Sequence, residues 1–222
     1  MELNGVKLEY LGHSGFLIVD NEKNIIIDPY NISDNVAKAD ILLITHSHYD
    51  HCSIKDIQKI VKEGTIIVVP PDAQSKITKI EKINMQVIES GDELTFGNVK
   101  VQAVTAYNTN KPMHTKRDGW IGYLIKVKDV VFYHAGDTDL IPEMKNLTGY
   151  GKHGTQFIVL LPVSGQVVMD AEEAAEAASM LGPDLAIPMH YGAGVAGTIE
   201  DAKRFVELCE KKGIKAEILD KI

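Results

Sequence analysis

The sequence predicts an α/β fold in which two β-sheets lie face to face with helices on their outer faces. Three observations lead there. Short apolar runs bounded by turn residues fill the first 45 positions and return between about 86 and 134. Helical periodicity follows each strand-rich section, so helices and sheets must stack as layers. The runs in "DILLITH", "TIIVVP" and "FIVLLP" are continuously apolar, as expected of strands covered on both faces.

The elements follow in order. "VKLEYLG" alternates, with Val6, Leu8 and Tyr10 on one face. "GFLIVD" and "NIIIDP" are the next strands, with "NEKN" (21–24) as the turn between them. "DILLITH" carries the chain directly into His46. Ser53 as N-cap and Asp56 at N3 open a helix marked by Ile54, Ile57, Ile60 and Val61, and Gly64 closes the pattern. "TIIVVP" is the next buried strand. Shorter strands occupy 86–105, with Gly91 and Gly97 as turn signals. An irregular segment, 107–119, leads to the strands "WIGYLIKV" and "DVVFYH".

The second half repeats the plan. "FIVLLP" precedes an Ala-rich helix opened by Asp170 and Glu173 and ended by Gly182-Pro183. "LAIPMHYG" is a strand running into His190. Thr198 starts a last helix with Ile199, Ala202, Phe205 and Val206 on one side and Gly213 beyond its end. No Gly-, Ser- or Pro-rich linker interrupts the chain, so one domain over residues 1–222 is expected.

Composition narrows the class. Hydrophobic residues make up 45% and charged residues 24% of the 222 positions, which is ordinary for a globular protein and argues against disorder. The net charge of −8 argues against a nucleic-acid surface. Two cysteines are too few for a disulfide framework. Cys209 falls on the apolar side of the last helix and is expected to pack. Cys52 stands at a helix start, where a thiol pKa can fall. The first residues show no charged segment followed by an apolar one, and no apolar run reaches the roughly 18 residues of a membrane span. A cytoplasmic protein without a membrane segment is the expectation.

The stretch "THSHYDH" concentrates three histidines and an aspartate within positions 46–51. Imidazoles packed this closely repel one another if protonated. A divalent metal removes the objection, because neutral imidazole nitrogens and a carboxylate are good ligands for it.

His46-x-His48-x-Asp50-His51 resembles the H-x-H-x-D-H signature of the metallo-β-lactamase superfamily. "HAGDTD" (134–139) is similar to that family's strand-end Gly-Asp-Thr, and "PMHYG" (188–192) to its final strand-end histidine. "LGHSGF" near the start and "IIIDP" (25–29) resemble the branch that includes ascorbate-6-phosphate lactonase. The similarity runs from about residue 6 to at least 192. It implies an αββα four-layer sandwich of two mixed β-sheets, in agreement with the layering above. It also implies two divalent ions, zinc first, with manganese or iron accepting the same ligands. His46 and His48 would serve one ion, Asp50, His51 and His190 the other, and Asp137 would bridge.

The third ligand of the first ion is open. The strand "VKVQAVTAYN" ends in Asn108, where the family has a histidine, and the nearest histidine is His114. His114 is favoured, since imidazole binds these metals better than an amide oxygen. The resemblance further gives Asp28 as a carboxylate behind a metal histidine, or as a turn residue before Pro29. His13 is read as a turn residue before a residue lining the cleft, His134 as a packing residue or one behind a ligand, and Tyr191 equally as a substrate contact or a packing residue. Lys111, Lys116 and Arg117 around His114 could clamp an anion.

The implied activity is hydrolysis of an ester-like bond, a lactone or phosphodiester, in a small, anionic substrate. A hydroxide held by both ions would attack, with Asp50 as the catalytic residue that orients it or takes its proton. The alternatives are a metal-binding scaffold without catalysis and an RNA-processing phosphodiesterase. No nucleic-acid or membrane partner is expected, and a homo-oligomer is possible in this family.

Overall fold

The computed structural model describes residues 1–20, 23–152 and 154–222. The first sheet contains β1 (Glu2–Leu3), β2 (Val6–Gly12), β3 (Gly15–Val19), β4 (Asn24–Ile27), β5 (Ile41–Leu43), β6 (Ile66–Val69) and β7 (Asn84–Val87), side by side in chain order. The second contains β8 (Glu93–Phe96), β9 (Val99–Thr105), β10 (Ile121–Val127), β11 (Val130–His134), β12 (Gln156–Pro162) and β13 (Leu185–Met189), again in chain order. The helices are α1 (Ile54–Ile60), α2 (Gln74–Ile77), α3 (Ala171–Leu181) and α4 (Ile199–Lys211).

Both sheets are mixed, and in the same way. β1 to β4 pair antiparallel and β4 to β7 parallel. β8 to β11 pair antiparallel and β11 to β13 parallel. Parallel neighbours need a crossover connection. α1 supplies it between β5 and β6, and α3 between β12 and β13. The parallel strands of each sheet therefore end at a common edge, the place where open α/β sheets build their sites.

The apolar runs are unalternating because alternate residues enter two different cores. Phe16, Ile18, Ile25, Ile27, Ile41, Leu43 and Val68 face the second sheet and share a cluster with Val101, Ala103, Tyr123 and Ile125. Their chain neighbours Leu17, Ile26, Leu42, Ile44, Ile67 and Val69 pack outward against Ile57 and Ile60 of α1 and Ile77 of α2. On the other side, Ala174, Ala177 and Ala178 of α3 and Ala202, Phe205 and Cys209 of α4 join the inter-sheet cluster through the second sheet. Each fully buried branched side chain contributes about 1.5–3 kcal/mol over its exposed state. The four layers are thus α, β, β and α, as expected.

The helix signals hold at their starts. Ser53 caps α1, Asp170 and Glu173 form a reciprocal capping box on α3, and Thr198 and Asp201 do so on α4. Gly182 ends α3 in the left-handed conformation, φ +62°. α1 stops earlier than its pattern suggests: Val61 is already extended, and Gly64 serves the following turn at φ +85°. β1, α2 and the 3₁₀ turns at Pro71–Ala73 and Pro142–Leu147 were not expected, being too short for a periodic signal. The irregular segment 107–119 is a loop with one 3₁₀ turn, Lys116–Asp118. Within the turn expected at 21–24, positions 21 and 22 lie outside the described residues. Cys209 is buried, as expected. Cys52 reverses the expectation for its thiol: it is buried in the outer core, and burial pushes its pKa up to about 12. Among the described residues, no helix is long and apolar enough to cross a membrane.

Asp56 joins α1 to the loop after β4. Its carboxylate accepts from Asn31 N (3.0 Å), Ile32 N (3.3 Å) and Ser53 Oγ (2.7 Å). Burial works against the charged form, but these donors and Lys59 outweigh it and lower the pKa below the usual carboxylate value. Asp56→Ala is expected to cost about 1–3 kcal/mol at neutral pH, since three donors lose their acceptor. A depressed folded-state pKa stabilises above the unfolded value of about 3.9, and the gain is lost as pH falls through the folded value. Denaturant titrations should therefore show the gap between wild type and variant narrowing below about pH 4.

Candidate metal centre

The site lies where the parallel strands end. Asp28 follows β4, and Thr45 to His51 follow β5. Asp137 follows β11, Ser164 follows β12 and His190 follows β13. His51 N and Cys52 N both donate to His48 O (3.1 and 2.7 Å), a turn that brings Asp50 and His51 back over the strand end. Gly136 permits the turn into Asp137. Its φ is +65°, and a Cβ there would stand 2.6 Å from Ile121 O.

Three sets of ligand-type atoms converge, each within 4.8 Å. One is His46, His48 and His114; one is His46, His51 and Asp137; one is His13, Asp50, His51 and His190. Asp137 is common ground: its Oδ2 is 3.8 Å from His46 Nε2, 3.7 Å from His114 Nε2 and 3.3 Å from His190 Nε2. Its Oδ1 is 3.2 Å from His51 Nε2. All seven residues suggested as metal ligands are thus brought together.

The far sides of the rings are anchored. Asp28 accepts from Thr45 N (2.9 Å), Thr45 Oγ1 (2.6 Å) and His51 Nδ1 (2.8 Å). The Thr45 hydroxyl, its proton given to Asp28, accepts from His46 Nδ1 at 3.0 Å. One buried carboxylate therefore sets the tautomers of both His46 and His51, leaving their Nε2 lone pairs toward the centre. Asp28 stands behind His46 and His51 and is not merely a turn residue. His190 Nδ1 pairs with Ser164 Oγ at 3.0 Å.

His46 Nε2, His51 Nε2, His190 Nε2 and Asp137 Oδ1 are buried with no hydrogen-bond partner. An unsatisfied buried polar atom costs about 1–3 kcal/mol. Several converging on one volume, all of ligand type, fit a divalent cation. The protonation states also fit. Burial pushes His46, His48 and His114 down, toward the neutral form that ligates. Asp137 stays ionised: burial opposes this, and His190 and His51 outweigh it. His51 is pushed up, since Asp137 and Asp28 outweigh the effect of its burial. A cation would replace that proton.

The backbone is strained around the same atoms. His13, Asp28, His114 and His190 are all left-handed, at φ +56°, +41°, +61° and +62°. Each costs about 1–3 kcal/mol and persists only where the surroundings over-determine it.

The loop question has a geometric answer. Asn108 is a brace: its Nδ2 donates to Met113 O (3.0 Å) and Val167 O (2.6 Å), and its backbone N donates to His114 O (2.6 Å). The loop folds back and places the imidazole of His114 beside His46 and His48, while Asn108 spends its Nδ2 on the loop and keeps its Oδ1 buried without a hydrogen-bond partner. The lysines of this loop are not free. Lys111 is ion-paired with Asp139 and lies 3.5 Å from Glu173, while Lys116 pairs with Glu143 at 2.6 Å. Of the suggested anion clamp, Lys111 is a latch tying the His114 loop to the strand end after Asp137, and Arg117 is exposed.

Of the remaining residues, His134 uses both ring nitrogens: Nε2 donates to Ser14 O (2.8 Å) and Nδ1 accepts from Gly136 N (3.2 Å). It is a packing residue, as expected. Tyr191 stacks on Tyr10, with centroids 5.8 Å apart, and both border a cleft of about 500 Å³ that also touches His13, Tyr30, Ile199 and Leu219. Three participants escaped sequence reasoning. Thr45 and Ser164 carry no pattern of their own. Trp120 lies 4.4, 4.6 and 4.8 Å (centroid to centroid) from the rings of His46, His48 and His114, and it carried no ligand signal.

An αββα sandwich with a histidine–aspartate cluster at the shared strand ends defines a metallo-β-lactamase-like protein. Residues 7–190 match the beta-lactamase superfamily domain, and the chain belongs to that family. It is 31% identical over 232 residues to a UPF0173 metal-dependent hydrolase of Koribacter versatilis, covering 97% of both chains. It is 34% identical over 193 residues to another from Thermoplasma volcanium, covering 84% of this chain and 83% of that one. A crystal structure described as a metal-dependent hydrolase from Parabacteroides distasonis superposes with a TM-score of 0.82 at 30% identity, covering 97% of this chain and 94% of that one.

Trp120 is the only tryptophan in the chain, so it reports on one place. Its emission is expected to change when Zn²⁺ or Mn²⁺ is added to metal-free protein, and His46→Ala should remove most of that response. Emission indifferent to metal would separate the indole from the cation site.

Proposed function

We propose that this metal-dependent hydrolase of the β-lactamase superfamily uses two divalent ions to cleave an ester-like bond in a small molecule. The observation that carries the reading is Asp137, a buried carboxylate within 3.8 Å of His46, His51, His114 and His190. His46, His48 and His114 would hold one ion, Asp50, His51 and His190 the other, and Asp137 would bridge. When bound, the ions supply an activated water nucleophile near neutral pH and offset charge in the transition state.

The chain's own residues do the rest. Asp28 and Thr45 hold the rings of His46 and His51 in the ligating tautomer. Asp50 is the residue proposed to orient the nucleophile. Burial raises its pKa, yet the His13 hydrogen bond prevails and holds it at about 2. A base that weak accepts a hydrogen bond better than it takes a proton, so orientation is the better role.

The substrate class follows from charge. Two dications against Asp50, Asp137 and one hydroxide nucleophile leave one net positive charge, which suits an anionic ester-like transition state. With Lys111 and Lys116 already paired, the preference for a phosphorylated lactone or phosphodiester over a β-lactam rests on that metal charge. Zinc suits the donors, and manganese or iron accept them too.

Metal analysis with an activity panel of lactones, phosphodiesters and β-lactams tests the reading. Asp137→Ala is expected to lower bound metal and reduce hydrolysis at least 100-fold, roughly the scale of losing several kcal/mol of positioning. Full metal content with unchanged turnover would remove the bridging role. Binding without turnover of any substrate in the panel would favour a non-catalytic scaffold.

A second prediction separates His114 from its brace. His114→Ala should weaken metal binding more than Asn108→Ala, because one removes an imidazole and the other loosens the loop that presents it. Titration of the two variants with Zn²⁺ decides it, and a greater loss from Asn108→Ala would overturn the assignment.

A further inference from the structure

His13 offers an observation that the two-ion reading does not use. It stands in the turn between β2 and β3, in the first sheet, at φ +56°. Its carbonyl accepts from His190 N (2.7 Å) and Tyr10 Oη (3.0 Å). Its Nε2 is 3.0 Å from Asp50 Oδ2. One residue thus grips a strand end of the second sheet through its main chain and the loop after β5 through its side chain.

The tautomer follows from the partner. An ionised carboxylate only accepts, so His13 Nε2 must carry the hydrogen in that bond. A protonated Nε2 has no lone pair to give a cation. His13 Nδ1 is buried without a partner. The ring lies 4.2 Å from that of His190, centroid to centroid, so His13 also packs against the His190 imidazole.

We propose that His13 is the positioning residue of the second ion's site, holding Asp50 by its Oδ2, the oxygen that stands 3.7 Å from His51 Nε2 and 4.0 Å from His190 Nε2, and holding His190 by its backbone. The proposal rests on the two-ion reading. It makes the two sites separable: loss of the His13 ring disturbs Asp50 and His190 and spares His46, His48 and His114. Partners of this kind, one bond removed from a metal, typically change metal affinity or activity by about 10–100-fold.

Two substitutions separate reach from backbone strain. Asn tolerates the left-handed backbone, but its amide is too short to reach where Nε2 stands. Gln places an amide nitrogen near the position of Nε2. Metal-free wild type, His13→Asn and His13→Gln are titrated with Zn²⁺, following stoichiometry by calorimetry and the first site by Trp120 emission. Wild type should bind two ions. His13→Asn should keep the tryptophan response and bind its second ion about 10–100-fold more weakly. His13→Gln should recover most of that affinity, with kcat following metal occupancy and KM little changed.

If wild type binds two ions and His13→Asn binds both as tightly, the role of His13 is overturned and the two-ion reading stands. If wild type binds only one, both fall. If His13→Asn and His13→Gln both fail to fold, or lose both ions together, His13 is a structural turn residue and the proposal is overturned.

Discussion

Asp137 lies within 3.8 Å of four imidazole nitrogens, and its Oδ1 has no hydrogen-bond partner. Burying so many polar atoms without mutual hydrogen bonds is costly in any protein interior. A centre of this kind survives only if the surrounding fold holds it and a cation compensates it. The strand ends supply the first condition. Asp28, Asp137 and His190 each follow the last residues of a parallel strand in a doubly covered sheet, so their main chains have little freedom.

The side chains are held from behind. Asp28 reaches His51 directly and His46 through the Thr45 hydroxyl, and Ser164 reaches His190. Each bond occupies Nδ1 and leaves Nε2 inward. Trp120 closes the other flank, against the rings of His46, His48 and His114. The left-handed backbone at His13, Asp28, His114 and His190 is the cost of aiming the residues at one volume. Cross-sheet bonds such as His190 N to His13 O retain that strain.

Charge on the 107–119 loop is organised for structure. Lys111 neutralises Asp139, whose carboxylate also accepts from Thr109 N at 2.8 Å, so the ion pair closes the loop that carries His114. Lys116 is drawn to Glu143 and over the ring of Tyr107 at 4.8 Å. A basic run in sequence becomes a set of latches once its acidic partners arrive from distant elements.

The sequence by itself determined the layers and most of the metal-binding chemistry. Periodicity and continuous apolar runs report burial on one face or two, a property of each strand alone, and so the sandwich was legible. The helix caps at Ser53, Asp170 and Thr198 were legible because capping is a local hydrogen bond. His46, His48, Asp50 and His51 were legible because six positions of chain hold them close in any fold. Only tertiary structure brings His114 beside His46 and His48, since that turns on a loop folding back under braces from Val167 and Met113. It alone raised the Cys52 thiol, through burial that a helix-start position does not reveal. It alone gave Ser164, Trp120 and His13 their places, because each acts on a partner far along the chain. Contacts between residues distant in sequence leave no periodic trace, and they exist only after the two sheets close on each other.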